Sequence, residues 1–427
     1  MEKSLARKLK AIHADPSGCR EFIIADAKDA DMAFGIGAPG LSPEKHDGEL
    51  RFRTLAEYRE QMRIIVKSEL IDIMLMSAST AEVLAIHERL FENSPVTPAA
   101  RANDTTDIHV LRGGKAYLAP SAPFRTASID QMQCGHLDCS PEERHLGANL
   151  GLYSITFNND MELDRRALEE FKLFREEAER KGFTYFLEVF DPNVPNAVAP
   201  ELLGKFVNDA VARALAGVTG SGRPQFLKIA YHGPQAMEEL VAYDPHLVVG
   251  ILGGSAGTTL DAFQLIHDAK KYGGRVALFG RKINQAEQQL AFVHFLRLIA
   301  DEVIAPVEAV KAYHGVLQQL NIRPNRSLED DLVILTGINS YGSNGTISVP
   351  PPATVPAPAV DPIEAPVAVV PEPVVAPAPE VKTEVNPPAA ASKSPANARY
   401  PGPNFEAMTS TERLEYHRNR LKQQFGS

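Results

Sequence analysis

Short apolar stretches alternate with longer stretches of helical periodicity through roughly the first 330 residues. Apolar runs of this length without polar alternation are typical of strands buried on both faces. Helical patterns lie between most of them, and this alternation favours a parallel sheet covered by helices. The predicted strands are EFIIADA (21–27), IDIMLMS (71–77), SPVTPAARAND (94–104), NLGLYSITF (149–157), TYFLEVF (184–190), QFLKIAY (225–231), HLVVGIL (246–252) and RVALFG (275–280).

Eight such strands in one stretch of chain predict a closed eight-stranded β/α (TIM) barrel over residues 1–330, with a doubly wound open sheet as the alternative. Pro98 interrupts the third strand, and residues 105–147 are expected to form a long insertion after it. Two helical patterns, 163–182 and 258–274, end on glycine, as a helix C-cap would.

An ammonium group lies in the middle of the sixth predicted strand. Lys228 is surrounded by apolar residues, although lysine is rarely buried unless another group pairs with it. Alternate side chains of a barrel strand point inward. If Phe226, Lys228 and Ala230 point inward, then Leu227, Ile229 and Tyr231 face the helices. The interior of the barrel is therefore the predicted location of this lysine.

Two carboxylates are expected close to this lysine. Glu188 is central in the preceding strand, and Asp26 ends the first strand after FIIA. Barrel active sites lie at the C-terminal ends of the strands, so Lys228, Glu188 and Asp26 form the candidate catalytic group. A desolvated amine can attack a carbonyl while a carboxylate moves protons. The alternative is an internal ion pair that only stabilises the barrel.

Glycine-rich loops follow the last two strands. GILGGSAGTTL contains Gly253, Gly254 and Ser255, and LFGRKIN contains Gly280 and Arg281. Glycines let the backbone approach an anion, amides at a following helix N-terminus point at it, and an arginine adds a charged contact. Phosphate sites in these barrels are often built from these two loops. The pair of loops predicts a phosphate-binding site, and plain turns are the alternative.

FIIADA, FLEVFDP, FLKIAY, GILGGSAG and FGRKIN together resemble the class I aldolases of the tagatose-bisphosphate and deoxyribose-phosphate aldolase superfamily, which includes sulfofructose-phosphate aldolases. The resemblance covers roughly residues 20–315. It implies a carbon–carbon lyase that acts on a phosphorylated or sulfonated ketose without a cofactor. By this resemblance Lys228 is the Schiff-base lysine, Glu188 assists carbinolamine formation, and Asp26 is the acidic residue of the first strand. The glycine loops and Arg281 match the phosphate or sulfonate site.

The chain departs from that family at two places. Tagatose-bisphosphate aldolases carry a lysine in the fourth strand, in a context like VKLLLYY, where LGLYSITF here offers Leu152 or Tyr153. The usual DQRG run after the first strand reads DAKDAD. A changed proton relay, a different substrate or lost activity are all consistent with these differences. Tyr153 and Lys28 are the candidates to replace the missing lysine.

CGHLDC is the first of two possible metal clusters. It places Cys134, His136 and Cys139 at a short spacing, and thiolate and imidazole ligands suit zinc. A fourth ligand is not evident, so a loop with ordinary thiols is the favoured interpretation and no metal is assigned.

ANDTTDIH is the second cluster, with Asn103, Asp104, Asp107 and His109. A divalent ion there would fit a metal-dependent aldolase or lyase, which is the alternative enzyme. A polar turn is favoured.

The composition and net charge narrow the classes of partner that the protein is expected to bind. The chain has 427 residues, with 44 Lys+Arg against 54 Asp+Glu, and a net charge of −10 argues against nucleic acid. The sequence contains no apolar run long enough for a transmembrane helix, and the N-terminal segment has no apolar core typical of a secretory signal. Three cysteines form no disulfide framework, which favours a cytoplasmic protein. A sugar phosphate is the expected small-molecule partner, and a homo-oligomer is expected.

The end of the chain differs sharply from the rest. Residues 343–404 are rich in proline and alanine, which predicts a polyproline-like linker. Residues 405–427 are predicted to form a short cationic amphipathic helix with Leu414, Leu421 and Phe425 near one face. This arrangement resembles peptides that load enzymes into bacterial protein compartments, so the tail is a candidate to bind a protein partner. A frayed terminus and a non-catalytic adaptor barrel are the alternatives.

Overall fold

The computed structural model describes residues 1–29, 31, 53–108, 115–254 and 257–336. The predicted linker and terminal helix lie outside the described residues and stay predictions. Among the described helices, none is long and apolar enough to cross a membrane.

Eight parallel strands close into a barrel, which confirms the predicted fold. Each strand pairs with its two neighbours in the chain, and the last pairs with the first. All eight predicted strands are present, each within the predicted stretch. They are β1 Ile23–Ala27, β2 Ile73–Met76, β3 Thr97–Arg101, β4 Leu150–Thr156, β5 Thr184–Phe190, β6 Leu227–Ile229, β7 Gly250–Leu252 and β8 Val276–Phe279.

Pro98 lies inside β3 and pairs with Met74 of β2. A proline has no N–H to donate. Other amides hold this part of the chain to its neighbours: Thr97 N, just before the proline, donates to Asp72 O, and Ala102 N, just after the strand, donates to Leu152 O, both at 2.9 Å. The proline therefore does not stop the strand.

Helices follow most strands and cover the barrel. The helix over the predicted 163–182 pattern ends at the C-cap Gly182, with φ +60°. The one over 258–274 ends at Lys271, with Tyr272 as its C-cap, and Gly273 follows at φ +95°. The helices are α1 Ser4–Ala14, α2 Leu55–Ser68, α3 Ala78–Ala81 (continued by a π-helix, Glu82–His87), α4 Ile129–Cys134, α5 Met161–Lys181, α6 Leu203–Leu215, α7 Pro234–Tyr243, α8 Thr259–Lys271, α9 Arg281–Gln285, α10 Gln289–Ala300, α11 Pro306–Gln319 and α12 Leu328–Asp331.

The N-terminal helix α1 closes the bottom of the barrel. Its apolar residues Leu5, Leu9 and Ile12 belong to the same cluster as inward strand residues such as Phe186 and Phe226. The rings of Phe186 and Phe226 stack with their centroids 4.6 Å apart. The lower interior is thus a packed apolar core, and the inward-facing Lys228 and Glu188 lie above it.

Side chains alternate between the interior and the helix layer as predicted for β6. Leu227, Ile229 and Tyr231 belong to the cluster between strands and helices. Phe226 lies in the interior cluster, and Ala230 lies in a small upper cluster with Phe190 and Leu252. Lys228, between them in the alternation, therefore points into the barrel.

The insertion between β3 and β4 contains α4 and a short antiparallel pair, Asp104–Thr105 with Pro123–Phe124. Ile108 packs on the upper cluster of Phe190, Ala230 and Leu252. The insertion therefore covers part of the C-terminal mouth of the barrel, the end at which the candidate site was predicted.

Candidate active site

Lys228 and Glu188 form an ion pair inside the barrel. The two residues are direct neighbours in the β5–β6 register. Lys228 Nζ lies 2.5 Å from Glu188 Oε1. Lys228 is 6% exposed and Glu188 is fully buried. The structure thus brings together the amine and the acid that the sequence placed on adjacent strands.

Ser154 of β4 continues this row of polar side chains. It pairs with Glu188 in the β4–β5 register, and its Oγ donates to Glu188 Oε2 at 2.7 Å. The Asn103 side chain holds the Ser154 backbone from both sides, donating to its carbonyl at 2.8 Å and accepting from its amide at 2.6 Å. Both oxygens of Glu188 therefore face a fixed partner. The sequence reading missed Ser154, although it has the inward parity of Leu152.

Asp26 does not join this group. It pairs with Met74 and Phe279, which face the helix layer, while Ala25 and Ala27 take the inward positions of β1. Its carboxylate lies 3.0 Å from Lys28 Nζ. The placement of Asp26 beside Lys228 therefore has to be corrected, because strand alternation turns it to the other side of the sheet.

Lys28 is also excluded from the site. It is fully buried, donates to Asn284 Oδ1 at 2.8 Å and lies over the ring of Tyr58. Desolvation is the largest influence on this pair: it raises the pKa of Asp26 and lowers the pKa of Lys28, while their mutual attraction acts in the opposite direction. The pair joins β1 to α2 and α9.

Tyr153 likewise cannot replace the fourth-strand lysine. Its ring stacks on Phe174, with centroids 4.4 Å apart, and contacts Phe171 of α5. Leu152 points inward but is part of the apolar interior cluster. Neither side chain can relay a proton to the ion pair, and Ser154 is the polar group that β4 supplies.

A second ion pair lies at the mouth beside β1 and β3. Arg101 contacts Asp29 at 2.6 Å and Asp104 at 3.3 Å. These residues, with Asn103 and Gln131, line a pocket of about 390 Å³. Lys228 and Glu188 are not among its lining residues. Asn103 is the residue that the pocket and the ion pair have in common, because it lines the pocket and its side chain holds the backbone of Ser154.

Asp191 and His232 form a buried dyad at the same end of the barrel. Each follows a strand that carries a charged residue of the central pair, Asp191 after β5 and His232 after β6. His232 Nε2 lies 2.9 Å from Asp191 Oδ1, and their side chains are 6% and 2% exposed. FDP and YHG contain the signal for this dyad, because polar residues directly after barrel strands lie at the mouth.

The glycines of the predicted phosphate site have clear packing reasons. A side chain at Gly253 would overlap the ring of Phe279, and one at Gly280 would collide with the carbonyl of Ala27. Gly254 has φ +58°, which favours glycine. The loops after β7 and β8 touch, since Lys282 Nζ donates to Gly257 O at 2.6 Å. Ser255 lies outside the described residues.

Carboxylates already occupy the start of α8. Thr258 N donates to Asp261 Oδ2 and Thr259 N donates to Asp331 Oδ1, both at 2.7 Å. The predicted use of these amides to bind an anion therefore has to be corrected. Burial lowers the pKa of Lys282 to about 8, against the attraction of Asp261 and Asp331. Arg281 and Lys282 are the cations that these loops supply.

The predicted cluster after β3 does not converge on a metal. Asp104 contacts Arg101, Asn103 holds Ser154, and Asp107 Oδ1 accepts from Ser121 Oγ at 2.6 Å. His109 lies outside the described residues. Among the residues described, the one group of three potential ligands with closely spaced donor atoms lies elsewhere, in the insertion.

Comparison with known proteins supports the fold. A fructose-bisphosphate aldolase from Slackia heliotrinireducens is 13% identical, with a TM-score of 0.51 over 73% of this chain and 91% of that one. A Schiff-base-forming fructose-1,6-bisphosphate aldolase is 17% identical over 70% and 100%, with a TM-score of 0.47. An archaeal fructose 1,6-bisphosphate aldolase is 16% identical over 70% and 99%, also at 0.47. No protein-family model and no curated protein sequence matches the chain. At 13% identity the first match shows the barrel fold alone.

Proposed function

We propose that the protein is a class I aldolase, a carbon–carbon lyase that forms an imine on Lys228. The observation that carries this proposal is the ion pair of Lys228 and Glu188, held 2.5 Å apart in the barrel interior. A lysine inside an apolar barrel is costly, and its carboxylate partner can accept the proton that the amine must lose before it attacks. The sequence resemblance to Schiff-base aldolases supports the same chemistry.

Each step of the proposed cleavage uses a side chain at or near the Lys228–Glu188 pair. Lys228 Nζ passes a proton to Glu188 and attacks the ketose carbonyl carbon, and the resulting carbinolamine oxygen takes a proton and leaves as water. The protonated imine then accepts the electron pair of the carbon–carbon bond next to its α carbon. As that bond breaks, a base removes the proton of the departing alcohol, which leaves as an aldehyde. Protonation of the enamine and addition of water release the second product and the free amine.

His232 is the proposed base for the departing alcohol. It follows β6 four residues after Lys228, and Asp191 contacts its ring. A histidine can take a proton near neutral pH, and a carboxylate partner fixes its tautomer. His232→Gln should slow turnover by about 100-fold or more while leaving imine formation on Lys228 intact.

The proposed substrate is a phosphorylated or sulfonated ketose. Arg281 and Lys282 begin the segment after β8, beside the glycine loop that follows β7. Arginine binds phosphate or sulfonate oxygens in a bidentate manner. The anion would rest on these side chains and the backbone of Gly254, because the amides at the start of α8 already have acceptors.

Borohydride trapping tests the imine. Incubation with a phosphorylated ketose and borohydride should add the mass of the reduced substrate to Lys228, and peptide mapping should locate it there. Lys228→Met should remove the adduct. Lys28 is an internal control, because it is also buried and paired with a carboxylate but faces the helix layer.

Three results would count against the proposal. An adduct on Lys28 or on a surface lysine would reject the assignment of Lys228. Turnover lost to a chelator, in a protein that gives no adduct, would favour the metal-dependent alternative. Equal trapping with the phosphorylated sugar and the same sugar without phosphate would reject the anion site but leave the imine chemistry standing.

A further inference from the structure

The insertion between β3 and β4 gathers two thiols and a carboxylate at the end of α4. Cys134 is the last residue of that helix, and Cys139 and Glu143 lie in the loop after it. The two sulfurs and a carboxylate oxygen all lie within 4.8 Å of one another. Both cysteines are buried, whereas Glu143 is partly exposed. The three donors thus face one another at a surface that an ion can reach.

This spacing is close to what tetrahedral zinc requires. Zn–S bonds of about 2.3 Å place two thiolates about 3.8 Å apart on one ion. Since the three donors lie within 4.8 Å of one another, a contraction of at most about 1 Å would bring them into that range. Sulfur ligands with one oxygen or nitrogen suit zinc better than magnesium or calcium, which prefer oxygen donors.

The imidazole ring of His136 is held in an orientation that suits a fourth metal ligand. Its Nδ1 lies 2.7 Å from the carbonyl of Leu137, so Nδ1 must carry the hydrogen and donate it. Metal-binding histidines usually donate their second ring N–H to a carbonyl or carboxylate in this way. Nε2 then points at Glu143 Oε1, 3.2 Å away. In the protonated ring Nε2–H donates to this oxygen, and a zinc ion would take the place of that proton.

We propose that Cys134, Cys139 and Glu143 bind one zinc ion, with His136 facing the fourth position. The ion is structural. It joins the end of α4 to the loop that leads back to β4, where Gly147 N and Ala148 N donate to the carbonyls of α4 at 2.8 Å. The ligands would come from a sequence of the form C-x-H-x2-C-x3-E, and Glu143 is the ligand that the sequence left unidentified.

The site would also shape the mouth of the barrel. Gln131 and Gly135, on either side of Cys134, line the pocket next to Arg101 and Asp29. Zinc would fix this wall, and the ion itself would not contact the Lys228–Glu188 pair. The inference is independent of the imine chemistry, since metal content can be measured on an inactive Lys228→Met protein.

Metal analysis of the purified full chain tests the site. After dialysis against zinc, the protein should retain about one equivalent. Cys134→Ser and Cys139→Ser should each lose it, while Cys19→Ser, which changes the remaining cysteine, should keep it. Cobalt in place of zinc should give a thiolate-to-cobalt charge-transfer band in the wild type and in Cys19→Ser only.

Glu143 has a matched control in its exposed neighbour Glu142. Glu143→Gln should weaken zinc affinity at least tenfold, because even an outer partner of a metal site is worth about 10- to 100-fold. Glu142→Gln should leave affinity unchanged. Circular dichroism of each variant confirms folding, and Glu143→Gln keeps the site testable if a serine variant fails to fold. Retention of zinc by Cys134→Ser, two free thiols without zinc, or a mass 2 Da lower from a Cys134–Cys139 disulfide would each overturn the proposal.

Discussion

At the residue scale, Ser154 holds the carboxylate of Glu188 in place. Its hydroxyl donates to the carboxylate oxygen that does not face Lys228, and Asn103 fixes its backbone. Ser154→Ala should lower kcat/KM about 10- to 100-fold, because a hydrogen bond to a charged group is worth about 1.5–3 kcal/mol.

Thr156→Val is the control on the same strand. Thr156 shares the inward parity of Ser154, but its hydroxyl lies near Asp107, 3.3 Å away, and not near Glu188. The control should keep the wild-type kcat/KM. A Ser154→Ala protein with wild-type kcat/KM would show that this hydrogen bond only supports packing.

Alternation along single strands explains which site residues the sequence could predict. Glu188 and Lys228 lie next to phenylalanines of the same parity, Phe186 and Phe226, from which the inward face can be predicted. Asp26 lies between two alanines near the end of β1, and no aromatic neighbour there distinguishes the two faces. The inward position at the mouth belongs to Asp29, whose partner Arg101 comes from a different strand.

At the scale of elements, one carboxylate joins α1, β2 and α10. Asp72 contacts Lys8 at 2.9 Å and Arg297 at 2.7 Å and is almost fully buried. Asp72→Asn should lower the free energy of unfolding by about 3–5 kcal/mol, because two buried cations lose their counter-charge. Asp301→Asn should cost less than about 1 kcal/mol, since Asp301 is the exposed partner of the same arginine. Urea denaturation measures both.

The cost of Asp72→Asn should depend on pH. Burial alone would raise the pKa of Asp72, but Lys8 and Arg297 outweigh it, and its pKa lies below the usual value. A lowered carboxyl pKa stabilises the fold above the unfolded-state value of about 3.9, and this is lost as pH falls through the folded-state pKa. Burial lowers the pKa of Lys8, but a lysine stays charged at acid pH. Asp72 therefore determines how the stability of the fold changes with pH in the acid range. The difference between variant and wild type should be constant from pH 5 to pH 7 and shrink below about pH 4. A constant difference down to pH 2 would contradict this account.

The sequence predicted elements better than their connections. All eight strands follow from apolar runs, because a parallel strand buried on both faces has few polar positions. The insertion has no such pattern. Three features of the insertion depend on tertiary contacts that no periodic pattern in the sequence predicts. They are its short strand pair, its α4 helix and the approach of Glu143 to two cysteines. The C-terminal segment could not be predicted for the same reason, because its Asp331 contacts the start of α8, which lies much earlier in the chain.

At the scale of the whole molecule, the C-terminal segment up to Thr336 comes between the barrel and the predicted linker in the chain. Asp331 accepts from Thr259 N at 2.7 Å and contacts His314 at 2.9 Å, and Asp261 accepts from the amides of Leu335 and Thr336. The described contacts of the barrel therefore extend to Thr336. They lie before the proline-rich residues from 343 onward.

Two truncations test this boundary. A chain ending at residue 342 keeps the contacts of Asp331 and Thr336, so its free energy of unfolding should stay within about 0.5 kcal/mol of the full chain. A chain ending at residue 326 loses both sets of carboxylate–amide contacts at the start of α8. Because losing one helix cap costs about 1–2 kcal/mol, it should be at least about 2 kcal/mol less stable.

Substrate kinetics connect the same truncations to the proposed function. Since α8 follows the loop after β7, a loosened start of α8 should raise KM for a phosphorylated ketose in the chain ending at 326. The chain ending at 342 should keep the wild-type KM, and Asp331→Ala should fall between the two, because it removes the acceptor for Thr259 N and leaves the contacts of Asp261. If the chain ending at 342 is itself unstable or inactive, residues beyond 342 pack on the barrel, and the prediction that they form a separate tethered tail is wrong.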